Sequence, residues 1–158
     1  MDRQINHIRR MQPGDIPAVA ALEKEVFSMP WSEKGFEDAL AQPGNIFLVS
    51  EMSTGQIIAY CGLYVAAAEG EITNVATAEH MRGQGVGFAL VSEICREAFE
   101  NGISNIFLEV RKSNNIAHRL YEKSGFVDCG IRKNFYEKPQ EDAIVMCREL
   151  RRINDETE

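Results

Sequence analysis

The chain has 158 residues, and 17 Lys and Arg residues against 24 Asp and Glu residues give it a formal net charge of −7 at pH 7. This length suffices for a hydrophobic core, and we expect one domain over residues 1–158. The acidic balance excludes direct nucleic-acid binding as the main task, because such binding needs a basic surface, and it favours a basic partner.

The cysteines, histidines and apolar segments exclude further classes. The four cysteines form no CxxC pair and the three histidines are dispersed, so we expect no metal site and mostly buried, reduced thiols. No apolar run approaches the ~20 residues of a membrane span. The N-terminal MDRQINHIRRM lacks the apolar centre of a signal peptide. We therefore expect a cytoplasmic protein with no membrane partner, and the oligomeric state stays open.

The first part of the chain predicts a strand, two helices and an antiparallel hairpin. Ser32 is the expected N-cap of the second helix, since it follows the Met29-Pro30 break. A turn at AAEGE should end the hairpin. In chain order the elements are strand HIRRM, helices PGDIPAVAALEKEVF and SMPWSEKGFEDALAQ, and strands IFLVSEM and IIAYCGLYVAA, joined by STGQ.

The second part predicts a strand–helix–strand crossover. Strand EITNVAT leads through RGQGVG into a helix, which Asn101-Gly102 closes, and strand NIFLEV follows. Such a crossover makes its two strands parallel. Helix NNIAHRLYEKSG and strands FVDCGIR and AIVMCREL complete the chain. We expect an α/β fold with a mixed, mostly antiparallel sheet, flanked by helices, and one βαβ crossover.

The stretch RGQGVG (residues 82–87) has three glycines between a strand end and a helix start. Unpaired backbone N–H groups and the helix dipole favour an anion there, and glycines let the main chain approach a phosphate. A tight connecting loop is the alternative. No lysine follows Gly87, which excludes a Walker loop, and Phe88 stands where a Rossmann GxGxxG needs its third glycine. The pattern that remains is [QR]xxGx[GA].

Arg82, Gly85 and Gly87 match that pattern, which resembles the coenzyme A loop of the GNAT N-acetyltransferases. EITNVAT and LEVRKSNNIAHRLYEKSGF resemble the neighbouring elements of that family, in the same order over nearly the whole chain. PWSEKGF and NFYEKPQEDAIVM are similar to segments of the bacterial ribosomal-protein-alanine N-acetyltransferases. Two departures stand out: KNFY (residues 133–136) replaces the RNYY of that subgroup, and Thr77 replaces an aliphatic residue.

The resemblance implies a GNAT-like domain that uses acetyl-CoA as co-substrate and no metal. It also implies which residues bind the cofactor: strand EITNVAT through its main chain, the glycine loop through its N–H groups, and one asparagine after the next strand. These residues are Val75, Ala76, Thr77, Arg82, Gly83, Gln84, Gly85, Val86, Gly87, Phe88 and Asn114.

The chemistry needs a neutral amine, a stabilised oxyanion and a protonated leaving thiolate. The resemblance implies that Glu109, in strand IFLEV, is the general base, directly or through water, and that Tyr121 is the general acid. By pattern alone, Glu109 could be an exposed sheet residue and Tyr121 a core residue. Tyr136 should border the entering N-terminus. His118 is expected to be solvated, and Trp31 to serve packing rather than the acceptor groove.

The resemblance thus implies acetyl transfer to a protein N-terminal α-amine, in particular the N-terminal alanine of a small-subunit ribosomal protein. An α-amine has a reference pKa of about 7.7–8.0 against about 10.4 for lysine, so it needs less help from a base. Lysine or a polyamine remains an alternative acceptor. Two alternatives come from other functional classes: a non-catalytic acyl-CoA-binding module and a nucleotide-dependent oxidoreductase. Arg111 and Phe88 argue against the oxidoreductase.

Overall fold

The computed structural model of the protein describes residues 7–150, which form seven strands and four α-helices. The strands are β1 (His7–Arg10), β2 (Ile46–Glu51), β3 (Ile57–Ala66), β4 (Glu69–Thr77), β5 (Asn105–Arg111), β6 (Val127–Tyr136) and β7 (Glu141–Glu149). The helices are α1 (Ile16–Val26), α2 (Glu33–Ala41), α3 (Val86–Glu100) and α4 (Asn115–Lys123).

All seven strands belong to one sheet in the order β1-β2-β3-β4-β5-β7-β6. Within residues 7–150, five of the six strand pairings are antiparallel and only β4 and β5 run parallel. Helix α3 makes the crossover between these two strands. The predicted α/β fold, with a mostly antiparallel sheet and one βαβ crossover, is therefore confirmed.

Helices cover both faces of the sheet, because alternate strand residues are apolar on both sides. In β2, Ile46 and Leu48 belong to the core under α3, whereas Phe47 and Val49 belong to the core under α1 and α2. Tyr121 places α4 on the same face as α3. We call the two sides the α3/α4 face and the α1/α2 face.

Several element boundaries differ from the sequence prediction. The hairpin turn lies at residues 67–68, before AAEGE is complete, and β4 already begins at Glu69. Strand β6 runs on to Tyr136 because it pairs with β7 as far as Glu141. Ser32 is the N-cap of α2 as expected, since its hydroxyl accepts from the Gly35 N–H at 3.1 Å.

The parallel strands β4 and β5 are paired over only part of their length. Their register runs from Glu69 opposite Asn105 to Ile72 opposite Leu108 and then stops. Beyond this point β4 keeps its partner β3 and β5 keeps its partner β7. The sheet therefore opens between the carboxyl ends of β4 and β5, a place where ligands commonly bind in α/β sheets.

Three expectations from composition concern thiol burial, membrane spans and metal sites. Cys61 and Cys95 are buried, but Cys147 is half-buried and Cys129 is exposed, so burial of the thiols is less complete than expected. No α-helix between residues 7 and 150 is long and apolar enough to cross a membrane. The same residues contain no group of three side chains placed to hold a metal ion.

Candidate active site

The end of β4 presents main-chain groups to the opening in the sheet. Val75, Ala76 and Thr77 pair with β3 on one side, where Thr77 lies opposite Ala59, but have no strand on the other. An extra residue in β4, Thr73, forms a β-bulge between the two registers with β3. Because a bulge shifts the alternation of side chains, Val75 packs against the α3/α4 core while Ala76 joins the α1/α2 core.

The glycine loop connects this strand to α3. Gly83 and Gly85 have positive φ angles of 77° and 79°, which L side chains rarely adopt, and Gly85 is the N-cap residue of α3. Arg82 donates from its guanidinium to the Thr77 carbonyl at 3.3 Å, which ties the loop to β4. The Lys123 ammonium group lies 4.6 Å from the ring centre of Phe88 and adds positive charge at the helix start.

The loop has both the space and the donors for an anion. A Cβ atom added at Gly83 or Gly85 would meet no atom within 4 Å. In the first backbone hydrogen bond of α3, the Ala89 N–H donates to the Gly85 carbonyl at 3.0 Å. The N–H groups of Val86, Gly87 and Phe88 are therefore left without a carbonyl in the helix. Such donors at a positive helix end suit the phosphates of acetyl-CoA.

The side-chain oxygen of Asn114 makes a hydrogen bond inside the protein. Its Oδ1 accepts from the Ala117 N–H at 3.1 Å and so caps α4. Its amide nitrogen donates no hydrogen bond within residues 7–150. Contact with the cofactor stays a prediction for this residue, and the amide nitrogen is the group that could make it.

We expect Gly85→Val to raise the Kd for acetyl-CoA by about tenfold or more. Valine at this positive φ strains the backbone, and its side chain would fill the space beside the loop N–H groups. Gly55, in the β2–β3 turn, is the matched control because it also has a positive φ (89°) with no atom within 4 Å of an added Cβ. Gly55→Val should lose similar stability but keep its acetyl-CoA affinity. Equal affinities in both folded variants, measured by calorimetry, would contradict a role for this loop.

Glu109 lies on β5, two residues after Phe107 on the same face, and both line a groove of about 630 Å³ on the α1/α2 face. Its side chain is 16% exposed, and its Oε1 accepts from Nη1 of Arg132 at 3.0 Å. The carboxylate is thus accessible from the groove and is held by a single exposed guanidinium. This is a suitable place for a general base.

Tyr121 lies on the opposite face of the sheet. It belongs to the α3/α4 core, where its ring packs against Phe126 with 6.0 Å between ring centres. Burial raises the pKa of Tyr121 well above its ordinary value, so the phenol keeps its proton at any pH the enzyme meets. Glu109 and Tyr121 therefore lie on opposite faces of the sheet.

Tyr136 ends strand β6 and contacts Arg111 at the carboxyl end of β5. The Arg111 guanidinium lies 4.3 Å from the ring centre of Tyr136 and donates to the carbonyls of Pro139 and Glu137 at 2.9 and 3.0 Å. These contacts fix the β6–β7 turn against β5. Burial and the negative charge of Glu109 raise the pKa of Tyr136 to about 12. The tyrosine thus stays neutral near Glu109; it is not among the residues that line the groove, and its contact with the acceptor stays a prediction.

Comparison with known proteins shows the family of this chain. Residues 16–126 match the acetyltransferase (GNAT) family. The chain belongs to this family. Its α/β fold is that of an acetyl-CoA-dependent N-acetyltransferase, and acetyl-CoA is the acetyl donor that this family uses.

Relatives with specific names cover most of the chain. One is the ribosomal protein bS18-alanine N-acetyltransferase of Escherichia coli K12, 33% identical over 90% of this chain and 96% of its own. A Bacillus subtilis protein, named as a candidate for the same activity, is 37% identical over 88% of this chain and 92% of its own. The crystal structure of the E. coli enzyme superposes with a TM-score of 0.86 at 30% identity, covering 95% of this chain and 98% of that chain.

The acetyltransferase also contains a buried polar network that was not expected from the sequence. The Glu23 carboxylate is 1% exposed and accepts hydrogen bonds from the Tyr60 hydroxyl, from Nδ2 of Asn74 at 3.1 Å and from the Trp31 N–H at 2.8 Å. Asn74 precedes the predicted cofactor residues of β4, and the bulge at Thr73 turns it toward α1. The network therefore connects the α1–α2 loop to β4.

Trp31 and His118, which were also considered from the sequence, do not belong to the proposed catalytic pair. Trp31 packs at 5.3 Å against Phe36 and at 5.8 Å against Tyr64, in agreement with a packing role, although it also lines a shallow pocket. His118 is not simply solvated, because its ring nitrogens lie 3.1 and 2.7 Å from the carboxylates of Glu122 and Asp128. Neither residue faces the gap between β4 and β5.

Proposed function

We propose that this acetyltransferase acetylates the N-terminal α-amine of a protein, and that its acceptor is the N-terminal alanine of ribosomal protein bS18. The observation that carries the proposal is the position of Glu109 in a groove on one face and of Tyr121 on the other face of a sheet that opens between β4 and β5. This geometry lets an amine and a thioester meet from two sides. The names of the relatives supply the acceptor.

The cofactor would lie along the α3/α4 face. The unpaired main chain of residues 75–77 would bind the pantetheine arm and the acetyl carbonyl. The N–H groups of residues 83–88 would bind the pyrophosphate, with Arg82 adding charge, and Asn114 would donate a further hydrogen bond. The thioester would then sit in the opening with its sulfur toward Tyr121.

The proposed chemistry moves two protons away from nitrogen. Glu109 takes the first from the α-ammonium group, directly or through water, and the neutral amine attacks the thioester carbonyl. A C–N bond forms and the C–S bond breaks as the tetrahedral intermediate collapses. Tyr121 gives its proton to the leaving thiolate and regains one from the second N–H, while the Glu109 proton passes to solvent. The products are an amide and free coenzyme A.

The acceptor groove fits a cationic N-terminus. Glu69, Glu71 and Glu109 line it against one cation, Arg132. Excess negative charge attracts an ammonium group and a basic ribosomal protein. An α-amine, with its low reference pKa, needs only one carboxylate as base. A ribosomal substrate would also place the enzyme in the cytoplasm, as expected from the sequence.

An acceptor comparison tests the proposal. The purified enzyme receives acetyl-CoA with one of three acceptors: a peptide with the bS18 N-terminal sequence starting at alanine, the same peptide blocked at its α-amine but carrying lysine, or spermidine. Free thiol should form quickly with the first acceptor alone. Faster release with the blocked peptide or with spermidine would overturn the acceptor and leave the family assignment intact.

A further inference from the structure

Glu71 brings a second carboxylate to the acceptor groove. On β4 it pairs with Tyr64 of β3 and with Phe107 of β5, the residue two positions before Glu109. It precedes the bulge at Thr73, so its side chain points to the α1/α2 face, as that of Glu109 does. Glu71 and Glu109 are thus neighbours on adjacent parallel strands: Glu71 lies one residue before the last pair, Ile72 and Leu108, and Glu109 lies one residue after it.

The two carboxyl groups interact directly. Burial raises the pKa of Glu71, and the neighbouring Glu109 carboxyl raises it further. Like charges this close repel, so the pair is most stable with a proton or a cation beside its oxygens. In the protein alone Arg132 supplies a cation whose charge also acts on Glu71, but its hydrogen bond goes to Glu109.

The ion pair between Arg132 and Glu109 is easily broken. It lies on the edge strand β6, its side chain is 56% exposed, and its other contact is the Phe135 ring at 4.8 Å. A half-exposed ion pair of this kind adds about 0–1 kcal/mol. A competing cation that binds both carboxylates could therefore displace the guanidinium at little cost.

We propose that Glu71 and Glu109 together bind the α-ammonium group of the acceptor, which displaces the Arg132 guanidinium from Glu109. This inference rests on the proposed function, because it takes an amine as the acceptor. The ammonium group offers three N–H donors, enough for both carboxylates. Glu109 then accepts one proton, and Glu71 undergoes no bond change but keeps the cation in place until the proton has moved.

Binding to the coenzyme A complex of the enzyme tests this without turnover. The probes are the alanine peptide and its desamino analogue, in which a propionyl group replaces the N-terminal alanine. The wild type should bind the amine form about tenfold more tightly or better, as expected for charged hydrogen bonds. Glu71→Gln should reduce that preference to about twofold, and Glu100→Gln, at the distant end of α3, is the control with the same charge change and should keep it.

The variants separate binding from structure. Glu71→Gln removes a like-charge contact, so its Tm should equal or exceed that of the wild type, and its peptide KM should rise about tenfold with kcat nearly kept. Arg132→Gln should lower the peptide KM by up to about fivefold. An amine preference that survives in Glu71→Gln, or a peptide KM that rises in Arg132→Gln, would overturn the proposal.

Failure of the proposed function gives a different result. If the wild type does not acetylate the alanine peptide, that function fails, and the binding comparison is made with the amine that it does acetylate and the amine-free analogue. Since the site recognises an ammonium group rather than a sequence, the Glu71 dependence must appear there too. Its absence with an accepted amine would overturn the ammonium site alone.

Discussion

We expect Glu109→Gln to lower kcat/KM for peptide acetylation at neutral pH by a factor of about 10²–10⁴. Glutamine keeps the shape of the side chain but accepts no proton, so the α-ammonium group must lose its proton in solution. The residual rate should therefore rise with pH up to the reference pKa of an α-amine, about 7.7–8.0. Thiol release measured across this pH range gives the profile.

The matched measurements are the acetyl-CoA affinity of Glu109→Gln and the rate of Glu100→Gln. Glu109 faces the α1/α2 side, away from the glycine loop, so the Kd for acetyl-CoA should stay within about twofold of the wild type. Glu100→Gln changes net charge equally and should keep full activity, because Glu100 pairs only with Arg96 on the exposed side of α3. A fully active Glu109→Gln would place the base elsewhere.

The second large effect is expected for Tyr121→Phe, which should lower kcat by about 10²-fold or more. Phenylalanine keeps the packing against Phe126 but cannot give a proton to the leaving thiolate. Burial holds the pKa of Tyr121 above its ordinary value of about 10, so the wild type should keep this step active through pH 9 to about 10. Single-turnover measurements would show whether acetyl transfer itself is slowed.

Tyr60→Phe is the converse control. Its hydroxyl donates to buried Glu23 on the α1/α2 face, so its loss should lower the free energy of unfolding by about 1–3 kcal/mol and leave kcat nearly unchanged. Tyr121→Phe should show the opposite pattern, with stability kept and kcat lost. If both variants lose only stability, Tyr121 is a core residue and not the acid.

Local signals predicted most elements of the fold. Ser32 before Glu33 indicated the start of α2, and residues 82–87 indicated the strand–loop–helix connection, because capping and glycine conformation depend on neighbouring residues. The parallel β4–β5 pair followed from the handedness and length of the crossover. Tertiary pairing decided the remainder: β6 extends to Tyr136 only because β7 lies beside it.

The proposed catalytic pair came from the resemblance, but its arrangement could not come from the sequence. The bulge at Thr73 leaves no local mark, yet it decides that Asn74 turns toward Glu23. The contact between Arg132 and Glu109 joins residues on strands that are separated by β7. Glu71 gave no signal beyond an acid in a strand, and its meaning depends on where the parallel pairing ends.

The central claim is that the amine entering the Glu109 groove is a protein N-terminus. Its most direct test is to incubate full-length ribosomal protein bS18, with its N-terminal alanine free, with the purified enzyme and acetyl-CoA, and to locate the product by tandem mass spectrometry. We predict one acetyl group, on the N-terminal alanine, and none when the Glu109→Gln variant replaces the enzyme at neutral pH. Acetyl groups on lysine side chains, or an unmodified N-terminus, would contradict the claim.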